Sequence, residues 1–166
     1  MKVGERAPLF KLNDQRGVLL GNEEYLGKKN LVVYFYPKDY TLGCTKEAKT
    51  FRDFYGQFKA LDAEILGISS DSASSHRDFA AACDLPFPLL SDEGGRVRTS
   101  FGVAATLGFL PGRATFVMDR DGVVIHAFSS KSQIRRHVEE ALEALKWSSG
   151  GAEAPQGKQG HASGAG

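Results

Sequence analysis

Short apolar runs alternate with segments of helical spacing along most of the chain, and this alternation constrains the fold more than any other feature. The runs at 30–36 and 64–69 are rich in Val, Ile and Tyr, which are typical strand residues. Between them, 43–61 carries apolar side chains every three or four residues, as an amphipathic helix does. Because strands that alternate with helices build a sheet with helices packed on it, the sequence predicts an α/β fold.

The second half of the chain continues this alternation. A helix is predicted from Ser72, which is a suitable N-cap residue, to about Asp84, with His76, Phe79 and Cys83 on one face. The remaining predicted elements are a strand at 87–90, a short helix at 95–101, a hairpin with strands at 114–119 and 123–128, and a helix at 132–146.

The length and composition predict one folded domain followed by a tail. A chain of 166 residues that is 42% hydrophobic has room for a single domain with a sizeable core, which we place at 1–147. The last 19 residues, 148–166, contain six Gly and no aliphatic side chain larger than Ala. Burial there cannot offset the entropy of ordering, so this segment is predicted to be a flexible Gly/Ala-rich tail.

The charge and the start of the chain bear on partners and location. With 21 Lys and Arg against 20 Asp and Glu, the net charge of +1 lacks the strongly basic character typical of a nucleic-acid binder. The longest apolar runs are far shorter than the roughly 20 residues needed to cross a bilayer, so no membrane association is expected. Residues 1–12 contain no hydrophobic signal core, which favours a cytoplasmic location.

The two cysteines, Cys44 and Cys83, are too few for a disulfide scaffold or for a metal centre with four thiolate ligands. Cys44 has the local sequence of a nucleophile: a strand ends near Pro37, a polar loop follows, and Cys44 enters the first turn of a helix. The unpaired N–H groups and the positive dipole end there favour the thiolate over the thiol. Thr41 brings a hydroxyl within reach of the sulfur or of a bound substrate oxygen. The alternative is that Cys44 is a small buried hydrophobic residue.

Pro37, Thr41 and Cys44 match the Pro-x-x-x-Thr-x-x-Cys motif of the peroxiredoxins, and the surrounding sequence resembles the peroxiredoxin Q group, also called bacterioferritin-comigratory proteins. The resemblance runs from about residue 3 to 146. The stretches that carry it are 34–39, 43–48, 85–92, 110–117 and 137–140. It implies a thioredoxin-like α/β fold with a central mixed sheet flanked by helices, and a thiol-dependent peroxidase that reduces hydrogen peroxide or organic hydroperoxides.

The resemblance also assigns roles to single residues. Cys44 would be the peroxidatic nucleophile, Thr41 would hold the peroxide by hydrogen bonding, and Pro37 would shield and direct the loop. Arg113 matches the family's active-site arginine, whose charge would stabilise the thiolate and the leaving oxygen. Glu47 is similar to a residue that positions this arginine, with a solvent-facing helix carboxylate as the alternative. No metal or cofactor is needed, because thiolate and peroxide suffice to give a sulfenic acid.

Three positions depart from the pattern of the group. Tyr40 and Leu42 stand where a small polar or acidic residue and a proline are usual, and the loss of the proline removes a fixed φ from the loop. Lys49 stands where many members carry the resolving cysteine, so the common disulfide within one helix cannot form. Cys83 is the candidate resolving cysteine, as in members that place it on the following helix. If Cys83 is only a packed structural residue, an external thiol would reduce Cys44, as in a one-cysteine peroxidase.

Other classes of protein fit less well. No second cysteine follows Cys44 closely enough for a Cys-x-x-Cys oxidoreductase. None of the four histidines is placed as the base of a cysteine hydrolase, and no cluster of His, Cys and Asp has metal-ligand spacing. A non-catalytic thioredoxin-fold binding or chaperone module is the non-enzyme alternative. The resemblance implies a monomer that takes electrons from thioredoxin or a similar dithiol.

Overall fold

A mixed β-sheet runs through the computed structural model, which describes residues 1–103, 105–106 and 110–149. In chain order the elements are β1 (Lys11–Asp14), β2 (Leu19–Gly21), a 3-10 helix (Asn22–Tyr25), β3 (Asn30–Phe35), α1 (Leu42–Asp53), α2 (Tyr55–Ala60), β4 (Ala63–Ser69), α3 (Ala73–Cys83), β5 (Leu89–Ser91), α4 (Arg96–Ser100), β6 (Ala105–Thr106), β7 (Leu110–Pro111), β8 (Ala114–Met118), β9 (Val124–Ser129) and α5 (Ile134–Ser149). The predicted alternation of strands and helices is confirmed.

The main sheet has the strand order β2-β1-β5-β4-β3-β8-β9. Its centre is parallel, because β3 pairs with β4 and β4 pairs with β5 in the same direction. The two edges are antiparallel, with β8 and β9 on one side and β1 and β2 on the other. The sheet is therefore mixed, as predicted. β3 lies between β4 and β8, and all of its residues are buried.

The side chains of β3 alternate between two apolar cores, because successive residues of a strand point to opposite faces. Val32 and Tyr34 belong to the core that also contains buried residues of α1, α2, α3 and α5. Val33 and Phe35 belong to the second core, which includes residues of α4 and of the segment before β1. Cys44 lies in the first core, so α1 buries the cysteine against the sheet.

Two details differ from the sequence prediction. The single helix expected over 43–61 is broken at Phe54, where ψ is 4°. The break falls in the stretch 53–56, whose Asp, Phe, Tyr and Gly residues are all weak helix formers. The hairpin of β1 and β2 was not predicted, because these strands are short and lack a clear apolar alternation.

The end of the described chain extends the last predicted helix. α5 continues to Ser149, two residues past the predicted domain boundary at 147. Residues 150–166 lie outside the described part, so the predicted tail stays a prediction. No helix among the described residues has the length and apolar character that a membrane span requires.

Candidate active site

The loop between β3 and α1 delivers Cys44 to a buried position. The strand ends at Phe35, and Tyr40 in the loop adopts a left-handed conformation with φ of 68°, which side chains other than Gly rarely take. Thr41 is the N-cap residue of α1, and Cys44 is the third helical residue with only 1% of its surface exposed. Leu42, one residue into the helix, is 93% exposed.

Arg113 reaches Cys44 because of the strand pairing. β3 and β8 are antiparallel with Phe35 opposite Ala114, so the residue before β8 lies beside the loop that follows β3. Its Nη2 donates a hydrogen bond to Cys44 Sγ at 3.4 Å. The approach depends on Gly43, where a Cβ would lie 3.0 Å from Arg113 Nη2. The structure thus brings together two predicted site residues that are 69 positions apart in the sequence.

Glu47 holds the other end of the same guanidinium. Arg113 Nη1 donates to Glu47 Oε1 at 2.6 Å, and both side chains are buried. Glu47 therefore does not face solvent on the helix surface. Burial raises the pKa of Glu47 to about 7, against the opposing charge and hydrogen bond of Arg113. Burial disfavours the charged guanidinium too, but the negative charges of Glu47 and Cys44 outweigh it and raise the pKa of Arg113.

His137, a residue that the sequence analysis passed over as a base, lies behind Glu47. Its Nδ1 is 3.8 Å from Glu47 Oε2, which has no hydrogen-bond partner among the described residues. The imidazole accepts a hydrogen bond from Thr115 Oγ1 at Nδ1, because Nε2 faces the Ser130 carbonyl oxygen and has to donate to it. Burial lowers the pKa of His137 to about 4, so the ring is neutral near pH 7.

The hydroxyl of Thr41 does not contact the sulfur in this structure. Its Oγ1 donates to the carbonyl oxygen of Lys38 at 3.0 Å, and Thr41 itself is exposed at the start of α1. Pro37 is half-buried at the beginning of the loop. The predicted roles of Pro37 and Thr41 at the peroxide therefore stay predictions.

Cys83 lies at the last turn of α3 with 3% of its surface exposed, and both cysteines are free thiols in the same apolar core. Arg52 of α1 donates from Nη1 to the Cys83 carbonyl oxygen at 2.7 Å, which ties the end of α3 to α1. Burial raises the pKa of the Cys83 thiol, and the positive charges of Lys49 and Arg52 oppose that rise. Lys49, which stands where many members of the group carry the resolving cysteine, thus opposes the rise in the pKa of Cys83.

A polar cluster beside the loop was missed by the sequence analysis. Carboxylate and imidazole atoms of Asp39, Asp71 and His76 lie within 4.8 Å of one another, which corrects the expectation that no such cluster has metal-ligand spacing. His76 Nδ1 and Asp39 Oδ2 lie at the hydrogen-bonding distance of 2.8 Å, and Asp71 accepts a hydrogen bond from the backbone N–H of Asp39. Because at least 32 residues separate Asp39 from the others, only the folded chain brings them together.

The fold and the site define the class of protein. A mixed sheet flanked by helices carries a buried cysteine at a helix start, and an arginine just before strand β8 donates to its sulfur. These are the features of a thioredoxin-fold thiol peroxidase. The chain belongs to the AhpC/TSA family, whose model matches residues 3–127.

Three relatives place the chain within that family. It is 48% identical over 144 residues to a chloroplastic Peroxiredoxin Q of Oryza sativa subsp. japonica, a match that covers 86% of this chain and 66% of the rice protein. Peroxidoxin BcpB of Mycobacterium tuberculosis is 38% identical, with a TM-score of 0.82 over 88% of this chain and 97% of that one. The Bacterioferritin Comigratory Protein of Xanthomonas campestris is 32% identical, with a TM-score of 0.78 over 84% and 92%. The predicted resemblance and thioredoxin-like fold are confirmed.

The comparisons also correct the expected location. The absence of a signal core in residues 1–12 favoured the cytoplasm, but the rice relative is a chloroplastic protein, which contradicts that expectation. The chain spans just under two thirds of the length of that relative.

Proposed function

We propose that the chain reduces hydrogen peroxide and organic hydroperoxides with Cys44 as the peroxidatic cysteine. The observation that carries the proposal is the forked contact of Arg113, which donates to Cys44 Sγ and to Glu47 Oε1 in a buried site. A fixed positive charge beside a buried sulfur stabilises the thiolate, which is the nucleophile. The solved Xanthomonas campestris relative is described for its alkyl peroxide reduction activity, which agrees with this assignment.

The reaction begins with attack of the Cys44 thiolate on the terminal oxygen of the hydroperoxide. The S–O bond forms as the O–O bond breaks, so sulfur is oxidised to sulfenic acid and the leaving oxygen departs as alkoxide or hydroxide and takes up a proton. Arg113 stabilises the negative charge as it moves from sulfur to the leaving oxygen. Thr41, whose hydroxyl lies at the site entrance, would turn from the Lys38 carbonyl to hold the peroxide.

Cys83 is our candidate for the resolving thiol. Its attack on the Cys44 sulfenic acid would form a disulfide and release water, and a dithiol such as thioredoxin would then reduce the disulfide. Two cysteine Cα atoms have to come within about 7 Å for such a bond. Because Cys44 is in the first turn of α1 and Cys83 in the last turn of α3, we expect the first turn of α1 to unwind during this step.

The cations near Cys83 are what favours this role over that of an inert packed cysteine, while burial, the larger effect, and the charge of Asp39 keep its pKa above the usual value. A resolving thiol has to ionise in order to attack, and two cations of α1 counteract the effect of burial on its pKa. If Cys83 does not resolve, an external thiol reduces the sulfenic acid directly. We further propose that the protein acts as a monomer and binds neither nucleic acid nor membranes.

The test is to treat the reduced protein with one equivalent of hydrogen peroxide and count the remaining thiols by intact mass after alkylation. Loss of both thiols without added oxygen or a dimer mass would support the two-cysteine mechanism. Loss of one thiol with a trappable sulfenic acid on Cys44 would support a one-cysteine peroxidase. Cys44→Ser is the control and should consume no peroxide, and an unreactive parent protein would favour the non-catalytic binding module.

A further inference from the structure

A buried hydrogen-bond network joins the loop before Cys44 to helix α3, and the steps proposed above make no use of it. Its centre is the carboxylate of Asp39, which is 3% exposed. The hydroxyl of Tyr36 donates to Oδ1 at 2.7 Å, and the hydroxyl of Ser75 donates to Oδ2 at 2.8 Å. The Nδ1 atom of His76 lies 2.8 Å from the same Oδ2.

Both nitrogens of the His76 ring have a partner. Nε2 is 3.0 Å from the carbonyl oxygen of Leu90, and Nδ1 is 2.8 Å from Oδ2 of Asp39. His76 has no exposed surface, so loss of the contact with Asp39 would leave a buried polar group without a partner. The loop, α3 and β5 are thus joined at one hydrogen-bonded pair, Asp39 and His76.

Two further contacts hold the same loop. The backbone N–H of Asp39 donates to Asp71 Oδ2 at 2.8 Å, and the ring of Tyr40 packs edge-on against Phe79 of α3 with centroids 5.1 Å apart. Tyr40 has a φ of 68°, and a left-handed conformation at such a residue persists only where its surroundings hold it. The two residues immediately before the N-cap Thr41 are therefore fixed against α3.

We propose that Asp39 and His76 are positioning residues for the peroxide reaction, and that their hydrogen-bonded pair keeps the loop at 37–41 closed on α3 so that Cys44 stays against Arg113. The proposal rests on the peroxidase function proposed above. Without the pair, the start of α1 would open more often, and Cys44 would lose its hydrogen bond from Arg113. Peroxide would then react more slowly, whereas a thiol reagent that needs only access to the sulfur would react faster.

Two substitutions at His76 separate its contact with Asp39 from its contact with Leu90. In His76→Gln the longer amide can still donate to the Leu90 carbonyl oxygen but no longer faces Asp39. In His76→Asn the amide nitrogen takes the place of Nδ1 and keeps an uncharged donor toward Asp39. The matched control is Ser72→Ala. It removes the N-cap oxygen that accepts a hydrogen bond from Ser75 N–H at the start of α3, and it leaves the contact between Asp39 and His76 intact.

Two rates should be measured in a Cys83→Ser background, where Cys44 is the one remaining thiol. The first is alkylation by iodoacetamide near pH 9.5, where an accessible thiol is largely ionised. The second is the reaction with hydrogen peroxide near pH 7. For His76→Gln we expect alkylation to be at least about tenfold faster and the peroxide reaction at least about tenfold slower, since the buried carboxyl group of Asp39 loses a hydrogen-bond partner. His76→Asn should lie between this variant and the parent, and Ser72→Ala should stay close to the parent.

The outcomes separate this proposal from the peroxidase function. If His76→Gln matched Ser72→Ala in both rates while the parent consumed peroxide, the positioning role would be wrong and the peroxidase function would stand. If the parent consumed no peroxide, the peroxidase function would fail, and the alkylation rates alone would show whether the pair closes the loop. Should His76→Gln not fold, Ser75→Ala removes one donor to Asp39. Unchanged alkylation of that variant would also contradict the proposal.

Discussion

Arg113 divides its hydrogen bonds between a buried carboxylate and a buried sulfur, and this division depends on the planar fork of a guanidinium. A lysine ammonium would bring a similar charge but could not span both partners with the same fixed geometry. Glu47 holds one arm of the fork, and Gly43 leaves room for the other. The surroundings of the Cys44 sulfur are therefore set by these neighbours as well as by the helix start.

The Arg113→Met substitution tests this charge directly. We expect the second-order rate of the peroxide reaction to fall by about 10²- to 10³-fold, because the variant loses the donor that stabilises the leaving oxygen. Stopped-flow measurement of peroxide consumption under single-turnover conditions checks the effect. Arg96, which is exposed at the start of α4, provides the control in Arg96→Met. Equal rates in the two variants would remove Arg113 from the active site.

Titration of Glu47 should make the rate of the peroxide reaction depend on pH. Its pKa of about 7 means that it is neutral below this pH, when the Arg113 charge acts on Cys44 alone, and negative above it, when that charge is shared. Glu47→Gln keeps an acceptor for Arg113 but stays neutral throughout. We expect the ratio of the variant rate to the wild-type rate to rise between about pH 6 and pH 8. A ratio that stays flat across this range would contradict a titrating Glu47.

Single residues differed in how far the sequence could identify them. Cys44 and Thr41 were predicted from a local pattern, because a helix start after a strand follows from adjacent residues. Arg113 was named only through the family resemblance, since no local signal connects residues so distant in sequence. Asp39 and His76 were missed for the same physical reason: their contact forms only after α3 has packed beside the loop.

Helix α1 combines the two cysteine environments, because its first turn holds Cys44 and its later turns bring Lys49 and Arg52 toward Cys83. The helix was predicted correctly up to the break at Phe54, where weak helix formers interrupt a pattern that the apolar spacing alone makes continuous. In the proposed mechanism its start unwinds for the disulfide, and its second half stays folded so that the cations remain near Cys83.

The Lys49→Met substitution tests that arrangement. Removing the cation lets burial raise the pKa of Cys83 further, so less thiolate is present at pH 7 and disulfide formation should slow. Because Lys49 is exposed, we expect a decrease of only about two- to fivefold. The difference should shrink as the pH approaches the pKa of the thiol. Acid-quench measurement of free thiols checks this, and Lys46→Met, on the preceding turn, is the control. Slowing in both variants alike would contradict a specific role of Lys49.

Helix α5 contributes His137 as a buried neutral base, and this makes stability depend on pH. The folded pKa is about 4 and the ordinary value 6.5, so between these values the unfolded chain binds a proton that the folded protein does not. The stabilisation is complete above pH 6.5 and is lost as the pH falls toward 4. The raised pKa of Glu47 acts in the opposite sense, which makes the comparison with His137→Gln the informative one.

Denaturant titrations of both proteins measure this contribution. From pH 7.5 to pH 5, the wild-type protein should lose about 2 kcal/mol of unfolding free energy relative to His137→Gln. The glutamine retains a donor toward the Ser130 carbonyl oxygen, so the variant should still fold. If the unfolding free energies of the two proteins changed with pH in parallel, the pKa of His137 would not differ between the folded and unfolded states.

The whole molecule was the level at which the sequence was most informative. Apolar runs such as 30–36 predicted buried strands, and β3 is buried along its whole length because helices cover one face and the N-terminal segment with α4 covers the other. The order of the strands could not be predicted from periodicity, because the pairing of β5 with β1 depends on contacts between segments that are distant in sequence. Location failed in a different way, because no physical feature of the folded domain encodes it.

The boundary of the folded unit gives the last prediction. The segment 150–166 contains none of the large apolar residues, so its removal should cost no burial. We expect a chain ending at Ser149 to keep its thermal midpoint and its peroxide rate. A chain ending at Ala144 is the matched control, because it also lacks Leu145, which is fully buried in the first core. Loss of a buried leucine costs about 2–5 kcal/mol, which lowers the midpoint by at least about 5 °C in a protein of this size. Calorimetry distinguishes the two truncations, and a fall of that size in the longer one would mean that the terminal segment packs against the domain.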